Sequence, residues 1–377
     1  MALRALRSPL RIGTATQPLR IVHVANFGLT PTKLYIHNVA TKLSNGWVRG
    51  GHHVINFHDR EAAKWSSMGI KAWGRRRSNK LLIELCEQTR PDLLVLGHAD
   101  IVKPETIATI RAKLPAMRVA QWSVDWVYPA THAQRNIRTL AAKAEHVDWT
   151  FLSSAGEALE QMGKLCGQVA FLPNPVDPSI ETARAFESDQ PTDVFVSAGR
   201  KAEVRQHLGE DILLGDVITG LKQRLPEVTF ETHGLFGAPT IWGPAYQASI
   251  SRSAMGLNMS RHSGAYLYSS DRLAHLAGNG VAVLIERVTG YGDLFGEDEM
   301  LFYSSDDELA EQIARHARDG VARKAVARKG WARYRELFDN AKVAAYMLDV
   351  VFDHHDILPS AYPAVAVNRP LVLPRAA

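Results

Sequence analysis

Several cations and a glycine follow the first apolar strand of the second half of the chain, and together they could bind an anion. The segment reads Ser197-Ala198-Gly199-Arg200-Lys201, and Arg205 follows one helical turn later. Gly199 would let the backbone approach a ligand closely, and amides at a helix start act with a fixed guanidinium or ammonium group to stabilise phosphate. The alternative is an ordinary turn that carries solvated cations.

A second polar loop, between a later strand and its helix, offers more groups for the same anion. Its candidate residues are Ser260, Arg261, Ser263, Gly264, Tyr268, Ser269, Ser270, Asp271 and Arg272. Ser269 or Ser270 could cap the helix and leave its free amides facing the ligand, although capping alone would also explain these serines. Arg261 and Arg272 are the stronger candidates, because a buried arginine at the end of a strand needs an anionic partner.

Ionisable side chains also follow two strands of the first half. His98 comes directly after one predicted strand, and Asp125 follows the next. An imidazole or carboxylate in this position could act as a general base that accepts a proton from a hydroxyl group. We therefore take His98 and Asp125 as the candidate catalytic residues.

Aromatic side chains flank Asp125 and could form a wall for a sugar. Trp122, Trp126 and Tyr128 lie close to it in the sequence. A sugar stacks its apolar face on such rings and hydrogen-bonds a neighbouring carboxylate through its hydroxyls. The alternative is that the aromatic residues anchor the core. Arg60, after another strand, could reach the same place.

The elements that must position these residues alternate along the chain. From residue 19 onward, short apolar runs alternate with amphipathic ones, which predicts parallel strands covered by helices on both faces. One helix is predicted over residues 203–225, and another begins at a capping box formed by Ser305 and Glu308. Ligands of such sheets bind beyond the carboxyl ends of the strands, so two facing sheets would place a ligand between them.

A proline-rich segment divides the pattern into two halves. Residues 173–178 contain three prolines, and the strand–helix alternation restarts at residue 193. The predicted organisation is a basic tail (1–18), a first domain (19–177), a linker (178–192), a second domain (193–340), a helix returning to the first domain (341–358) and an extended tail (359–377).

Composition excludes several classes of protein. The 377 residues are 46% hydrophobic and 22% charged, which excludes a long disordered chain, and no run approaches the length of an apolar membrane span. The sequence shows no Walker A motif, no dinucleotide-binding glycine fingerprint and no Asp-x-Asp motif for a metal-bound diphosphate. The pairs His52-His53 and His354-His355 are isolated, so we predict no metal site.

The net charge of +5 indicates an anionic partner. Basic residues cluster around Arg75-Arg76-Arg77 and again between Arg315 and Arg335. A charge run is usually a solvated helix face, and the first cluster could instead contact an anionic acceptor or a phospholipid surface. No nucleic-acid-binding module is present, so nucleic acid is not the expected partner. Two cysteines, Cys86 and Cys166, are expected to be buried thiols, which fits the cytoplasm and its inner membrane face.

Three segments of the chain resemble one family. They are Phe171-Leu172-Pro173-Asn174-Pro175-Val176-Asp177, then residues 256–273, and then the run from Gly280 to Leu309. Together they resemble GT-B glycosyltransferases, and in particular the CgeB-like branch of the group 1, family-4-type enzymes. Residues 42–54 are similar to the first helix and second strand of that branch.

The resemblance implies a GT-B fold, with two Rossmann-like domains facing across a cleft and C-terminal helices crossing back to the first domain. It implies metal-independent transfer of a hexose from a UDP- or GDP-linked sugar to a hydroxyl of a glycan or lipid-linked acceptor, without a further cofactor. Bacterial surface polysaccharide or glycolipid synthesis is the expected setting. The alternatives are a GT-B nucleotide-sugar epimerase and a non-catalytic assembly protein of the same fold.

The resemblance also assigns three residues outside the segments described so far. Asn26 and Gly28 correspond to the loop that approaches the donor phosphates and the acceptor. His275 stands where the family usually has the glutamate that binds the ribose hydroxyls. Asp271 lies four residues earlier on the same helix face, so either side chain could hold the ribose.

Overall fold

We describe a computed structural model of the chain, which covers residues 18–30, 33–65, 71–128, 130–199 and 204–352. It contains two parallel sheets. The strands of the first are, in spatial order, β4 (His53–Phe57), β1 (Arg20–Val24), β5 (Leu93–Gly97), β6 (Arg118–Ser123), β7 (Trp149–Leu152) and β8 (Val169–Phe171). Of the central strands, β5 is fully buried and apolar, and β6 is buried after Arg118, as a parallel sheet covered on both faces requires.

The helices of the first domain lie on the two faces of this sheet. They are α1 (Val39–Arg49), α2 (Asp59–Trp65), α3 (Lys71–Thr89), α4 (Pro104–Lys113), α5 (Ala130–Ala141) and α6 (Glu157–Cys166). A short antiparallel pair, β2 (Leu29–Thr30) and β3 (Lys33–Leu34), precedes α1. The Asn38 side chain caps α1 by accepting a hydrogen bond from the backbone amide of Thr41. Cys86 and Cys166 are buried free thiols.

The second sheet has five parallel strands. They are β12 (Phe230–His233), β9 (Thr192–Ser197), β13 (Ser253–Asn258), β14 (Ala282–Glu286) and β15 (Leu301–Tyr303). Its helices are α7 (Leu214–Arg224), α8 (Gly243–Ile250), α9 (Asp271–Gly278), α10 (Asp306–Arg318) and α11 (Gly320–Phe338). The Ser305 side chain accepts from the Glu308 amide at the start of α10, so the predicted cap is confirmed.

The predicted helix over residues 203–225 is wrong in its first half. An antiparallel hairpin, β10 (Val204–His207) and β11 (Glu210–Leu213), comes first, and α7 starts only at Leu214. Leu208 and Gly209 form the turn, with φ of +51° and +90°. Two consecutive left-handed residues match the twist of a two-residue hairpin, and Gly209 was the signal for it.

A final helix, α12 (Asn340–Val351), crosses back and packs on α1, as expected. The indole Nε1 of Trp47 on α1 donates to the carbonyl oxygen of Ala344 at 3.1 Å. One continuous set of buried apolar side chains joins the first sheet to α9, α11 and α12. The fold class is therefore confirmed. The predicted tails, apart from Pro18, lie outside the described residues, and the domain limits stay predictions.

Candidate active site

A cavity of about 210 Å³ lies between the two domains, at the carboxyl ends of β9 and β13. The second domain contributes the end of β9, the start of α8 and the first turns of α9. The first domain contributes Tyr35 and His37, which precede α1. The lining residues are Tyr35, His37, Ser197, Ala198, Gly199, Arg205, Ile241, Trp242, Gly243, Tyr246, Gln247, Ser270, Asp271, Arg272 and His275.

One part of the cavity is aromatic, and the sequence-based prediction missed it. Trp242 and Tyr35 meet edge to face, with ring centroids 5.5 Å apart. The Tyr246 ring lies 5.5 Å from the His275 ring on the same wall. The signal was present in the sequence, because Trp242 follows the carboxyl end of β12 and directly precedes a Gly-Pro helix start. These rings offer a flat apolar surface for a planar group.

The cavity also contains arginines. The two Nη atoms of Arg272 donate to the carbonyl oxygens of Met259 and Ser197 at 3.0 and 3.4 Å, so its guanidinium spans the ends of β13 and β9. Arg205 is buried, and it lies on β10 rather than on the predicted helix. Positive charge at the carboxyl edge of the sheet suits a phosphate group.

The loop ending at Tyr268 places these charges relative to one another. Burial raises the pKa of Tyr268, the Asp125 carboxylate raises it further, and Arg205, Arg261 and Arg272 act in the opposite direction. All four charged groups therefore lie within electrostatic range of this one hydroxyl. Tyr268 itself is buried in the loop.

The turn after β9 differs from the prediction. Gly199 lines the cavity, but the chain continues into the β10–β11 hairpin instead of opening a helix. The candidates Arg200 and Lys201 lie outside the described residues. Two helices begin at this cavity, α8 at Gly243 and α9 at Asp271, and Ser270 is the N-cap residue of α9, although its side chain makes no capping hydrogen bond.

The other candidate residues of the loop between β13 and α9 do not line the cavity. They support the loop or line a separate hollow. Ser269 accepts hydrogen bonds from Asn174 and Tyr291, so it holds the loop in place. Ser263 and Gly264 line a different hollow beneath the β10–β11 hairpin, where the Gly264 amide donates to Gln206 at 3.0 Å. Ser260 is buried and does not line the cavity.

Asn26 and Gly28 support the cavity rather than line it. The Gly28 carbonyl oxygen accepts from the Tyr35 amide, and Gly28 has a φ of +79°. A Cβ at this position would lie 1.9 Å from the Tyr35 carbonyl oxygen, so only glycine fits. The Asn26 side chain accepts from the Gly28 amide. Together they position the Tyr35 side of the cavity.

A second hollow, of about 260 Å³, lies at the carboxyl edge of the first sheet. It brings together three predicted residues, His98, Asp125 and Arg60. The described residues that line it are Arg60, His98, Asp100, Ser123, Asp125, Arg135, Asn136, Thr139 and Leu140. Because the Asp125 charge also raises the pKa of Tyr35, which lines the cavity, the hollow and the cavity are neighbours.

His98 and Asp125 form the ionisable pair of this hollow. The His98 Nδ1 atom lies 3.5 Å from Asp125 Oδ2. Burial lowers the pKa of His98, and the Asp125 charge opposes this shift only in part. The imidazole is therefore neutral near pH 7 and can accept a proton. Arg60 donates to Asp100 at 3.0 Å in the same hollow.

The predicted aromatic wall is partly wrong. Trp122 is 3% exposed and belongs to the core, where its Nε1 donates to His23 Nε2 at 3.1 Å. Tyr128 is half-buried, and a hydrogen bond to Glu157 raises its pKa. Trp126 remains in the cleft, where the Arg261 guanidinium lies over its ring at 5.0 Å. Arg261 is exposed, contrary to the prediction of a buried arginine.

Beside the cavity, four charged groups form what we call the interdomain ionic cluster: Lys42, Glu181, Asp271 and His275. Lys42 Nζ lies 2.8 Å from Glu181 and 2.9 Å from Asp271. His275 lies 2.6 Å from Glu181 and 3.5 Å from Asp271. Lys42 belongs to α1 and the carboxylates to the linker and α9, so the cluster joins the domains.

The cluster shifts each of its members toward the charged form. Burial and Lys42 oppose protonation of His275, but Asp271 and Glu181 outweigh them and raise its pKa. Lys42 holds the pKa values of Asp271 and Glu181 below their ordinary range despite burial. A ribose held by Asp271 or His275 would have to compete with these contacts.

Two kinds of feature are absent from the described residues. No helix in this part of the chain is long and apolar enough to cross a bilayer. No three His, Cys, Asp or Glu side chains among the same residues group closely enough to hold a metal ion.

Comparison with known proteins identifies the architecture. Residues 216–349 match the model of a family described as glycosyl transferase-like. No curated protein sequence matches the chain. Among solved structures, sucrose-phosphate synthase from Thermosynechococcus elongatus is similar, with a TM-score of 0.55, 13% identity, and coverage of 90% of this chain and 99% of that one.

Two further solved structures are similar to the chain over most of its length. A UDP-forming α,α-trehalose-phosphate synthase from Burkholderia xenovorans gives a TM-score of 0.56 at 10% identity, covering 89% of this chain and 99% of that one. Anabaena HepE, in complex with UDP and glucose, gives a TM-score of 0.53 at 11% identity, covering 89% of this chain and 100% of that one. The chain therefore has the GT-B fold. Membership of the CgeB-like branch stays a prediction.

Proposed function

We propose that this protein is a glycosyltransferase that moves a hexose from a UDP-sugar to a hydroxyl group of a glycan or lipid-linked acceptor. The observation that carries the proposal is the interdomain cavity, which has aromatic rings and two arginines, Arg272 at the carboxyl ends of β9 and β13 and Arg205 on β10. The glycosyl transferase-like family model over residues 216–349 and the UDP bound in HepE support it.

The cavity lining suits the two ends of a nucleoside diphosphate. Trp242 and Tyr246, which both line the cavity, offer surfaces on which a uracil ring would stack. Arg272 and Arg205 would meet the diphosphate, together with free amides at the start of α9. The negative charge that develops on UDP as it leaves would fall among these groups, so this arrangement needs no metal.

The acceptor would enter from the hollow of the first domain. Neutral His98, oriented by Asp125, would take the proton of the acceptor hydroxyl while its oxygen bonds to the anomeric carbon and the bond to UDP breaks. Arg60 and Arg135 line this hollow and are available to the acceptor. Surface polysaccharide or glycolipid synthesis at the cytoplasmic membrane face remains part of the proposal, with the exposed Arg76, Arg77 and Lys80 of α3 as its basic contact.

Calorimetry with UDP, GDP and ADP tests the donor site. We expect UDP to bind, Trp242→Ala to weaken it roughly tenfold through lost stacking, and Trp65→Ala to leave it unchanged, because Trp65 is 89% exposed on α2. Binding of GDP or ADP but not UDP would contradict the choice of nucleotide. No binding of any of the three would favour the assembly-protein alternative.

Incubation with UDP-sugars tests the reaction. Release of UDP, increased by sugar or glycolipid acceptors, supports transfer. Formation of an epimeric UDP-sugar in the absence of an acceptor would instead establish the epimerase alternative.

A further inference from the structure

The turn that carries His98 has an unusual backbone. His98 and Ala99, directly after β5, both have positive φ, of +57° and +32°. Left-handed conformations crowd the Cβ atom of any residue except glycine, so two in succession are unfavourable. Such a turn persists only where surrounding contacts hold it, and turns of this kind are concentrated at functional sites.

A buried lysine provides some of those contacts. Lys143, two residues after the end of α5, is 2% exposed. Its Nζ donates to the carbonyl oxygens of both strained residues, at 3.2 Å to His98 and 3.1 Å to Ala99. A charged donor shared by two adjacent carbonyls fixes the orientation of both peptide units.

Trp122 holds the turn from the other side. The His98 amide donates to the Trp122 carbonyl oxygen at 3.0 Å, and the two rings meet edge to face at 5.2 Å. A Cβ on Gly97 would lie 2.2 Å from the Trp122 ring, so the strand end is packed tightly against the indole. The His98 imidazole is thereby directed towards Asp125 and the hollow.

Other charged groups also affect the pKa values of Lys143 and His98. Burial lowers the pKa of Lys143 to about 8, with Asp100 and Asp59 acting against the shift and Arg75 adding to it. The ammonium form therefore predominates at neutral pH. Its charge, with that of Arg60, lowers the pKa of His98, while Asp125 and Asp100 raise it.

We propose that Lys143 is a positioning residue: its ammonium group holds the His98–Ala99 turn in the left-handed conformation and so keeps the imidazole facing Asp125 and the hollow. The importance of this role for catalysis rests on the proposed function, in which His98 is the base. The positioning itself is a property of the folded protein and can be measured without any substrate.

The experiment is NMR of the full chain labelled with ¹⁵N-histidine, with His98→Asn used to assign the signal. In the wild type we expect one His98 signal with a pKa below the ordinary value. Lys143→Met removes both carbonyl contacts and one positive charge, so the signal should split or broaden and the pKa should rise. Lys113→Met, which removes an exposed lysine paired with Glu87 on the surface, should change neither.

A second substitution separates geometry from charge. Glycine adopts positive φ without strain, so Ala99→Gly in the Lys143→Met background should restore a single sharp signal while the raised pKa remains. If Lys143→Met does not fold, Lys143→Gln, which keeps an amide donor without the charge, takes its place. This variant should raise the pKa of His98 and broaden or split its signal less than Lys143→Met does.

A folded Lys143→Met variant with the wild-type signal and pKa would overturn the proposal, as would a double variant as heterogeneous as the single one. UDP release from a UDP-sugar gives the catalytic consequence. We expect a loss of about 10²-fold in Lys143→Met, with recovery in the double variant and an unchanged affinity for UDP. If no UDP is released even by the wild type, the proposed function fails while the NMR result still decides the role of Lys143.

Discussion

The two domains meet in two places that treat polar groups in opposite ways. In the interdomain ionic cluster, every charge has an opposite charge within 3.5 Å. In the cavity beside it, buried atoms of two lining side chains, Ser270 Oγ and Arg272 Nε, have no hydrogen-bond partner among the described residues, and neither have the side-chain atoms of Asn258 at the end of β13. Buried polar groups are normally paired, so these unpaired atoms support the ligand proposed for the cavity, whereas the charges of the cluster satisfy one another.

The largest effect that we expect tests the cleft. His98→Asn keeps a residue that tolerates positive φ but removes the base, so transfer should fall by about 10²–10⁴-fold. The free energy of unfolding should fall by only about 1 kcal/mol, through the lost packing of the imidazole on Trp122. Rates of UDP release and urea denaturation measure the two quantities, with exposed His53→Asn as the control. A full rate in His98→Asn would remove His98 from the chemistry.

In the interdomain ionic cluster, we expect a substitution to lower the stability of the fold strongly. Lys42→Met leaves Glu181 and Asp271 buried without their shared cation, so the free energy of unfolding should fall by about 3–5 kcal/mol. Lys80→Met, which breaks an exposed pair with Glu84, should cost about 0.5 kcal/mol or less. Urea denaturation compares them. Equal losses in the two variants would contradict the contrast between cluster and surface.

Arg272 tests whether the cleft binds phosphate. Arg272→Ala should weaken UDP binding roughly 10–100-fold, because hydrogen bonds to charged groups contribute about 1.5–3 kcal/mol. The affinity for uridine, which lacks phosphate, should stay the same. Arg252→Ala, which removes an exposed partner of Glu231, is the control. Calorimetry with both ligands gives the answer, and an equal loss for uridine would show a general disturbance of the cavity.

His275 gives the smallest effect and a defined pH dependence. Its pKa is raised in the folded protein, so its protonation stabilises the fold fully below the ordinary histidine pKa, and this contribution is lost as pH rises through the raised value. The stability difference between wild type and His275→Gln should therefore be largest below about pH 6.5 and shrink above it, by about 1.4 kcal/mol for each pH unit that separates the folded and unfolded pKa values. Urea denaturation between about pH 6 and pH 9 measures it. A stability difference that grows with rising pH would contradict this prediction.

The sequence predicted two parallel sheets because most of their strands are short, largely apolar runs between turn signals. It also predicted the cap of α10 from a local rule. It failed at the β10–β11 hairpin, where Leu208 gave no warning of a positive φ and only Gly209 marked the turn. Helical and strand patterns are hard to separate over such short segments.

The candidate site was predictable in part for a different reason. His98 and Asp125 come together because they follow adjacent parallel strands, β5 and β6, and Arg60 follows β4 at the same edge of the sheet. The partners of Lys42 could not be predicted, since Asp271 is 229 residues away and nothing local indicates the contact. Lys143 gave no signal either, because its role depends on the backbone angles of a turn elsewhere in the chain.

The return of α12 to α1 has a consequence for biosynthesis. Trp47 is almost fully buried, yet its indole bonds to Ala344, which the ribosome adds 297 residues later. The first domain emerges with this side of α1 uncovered and cannot complete its core until translation has passed residue 340. Its nascent form therefore exposes apolar surface throughout the synthesis of the second domain, a period in which chaperones would be expected to bind it.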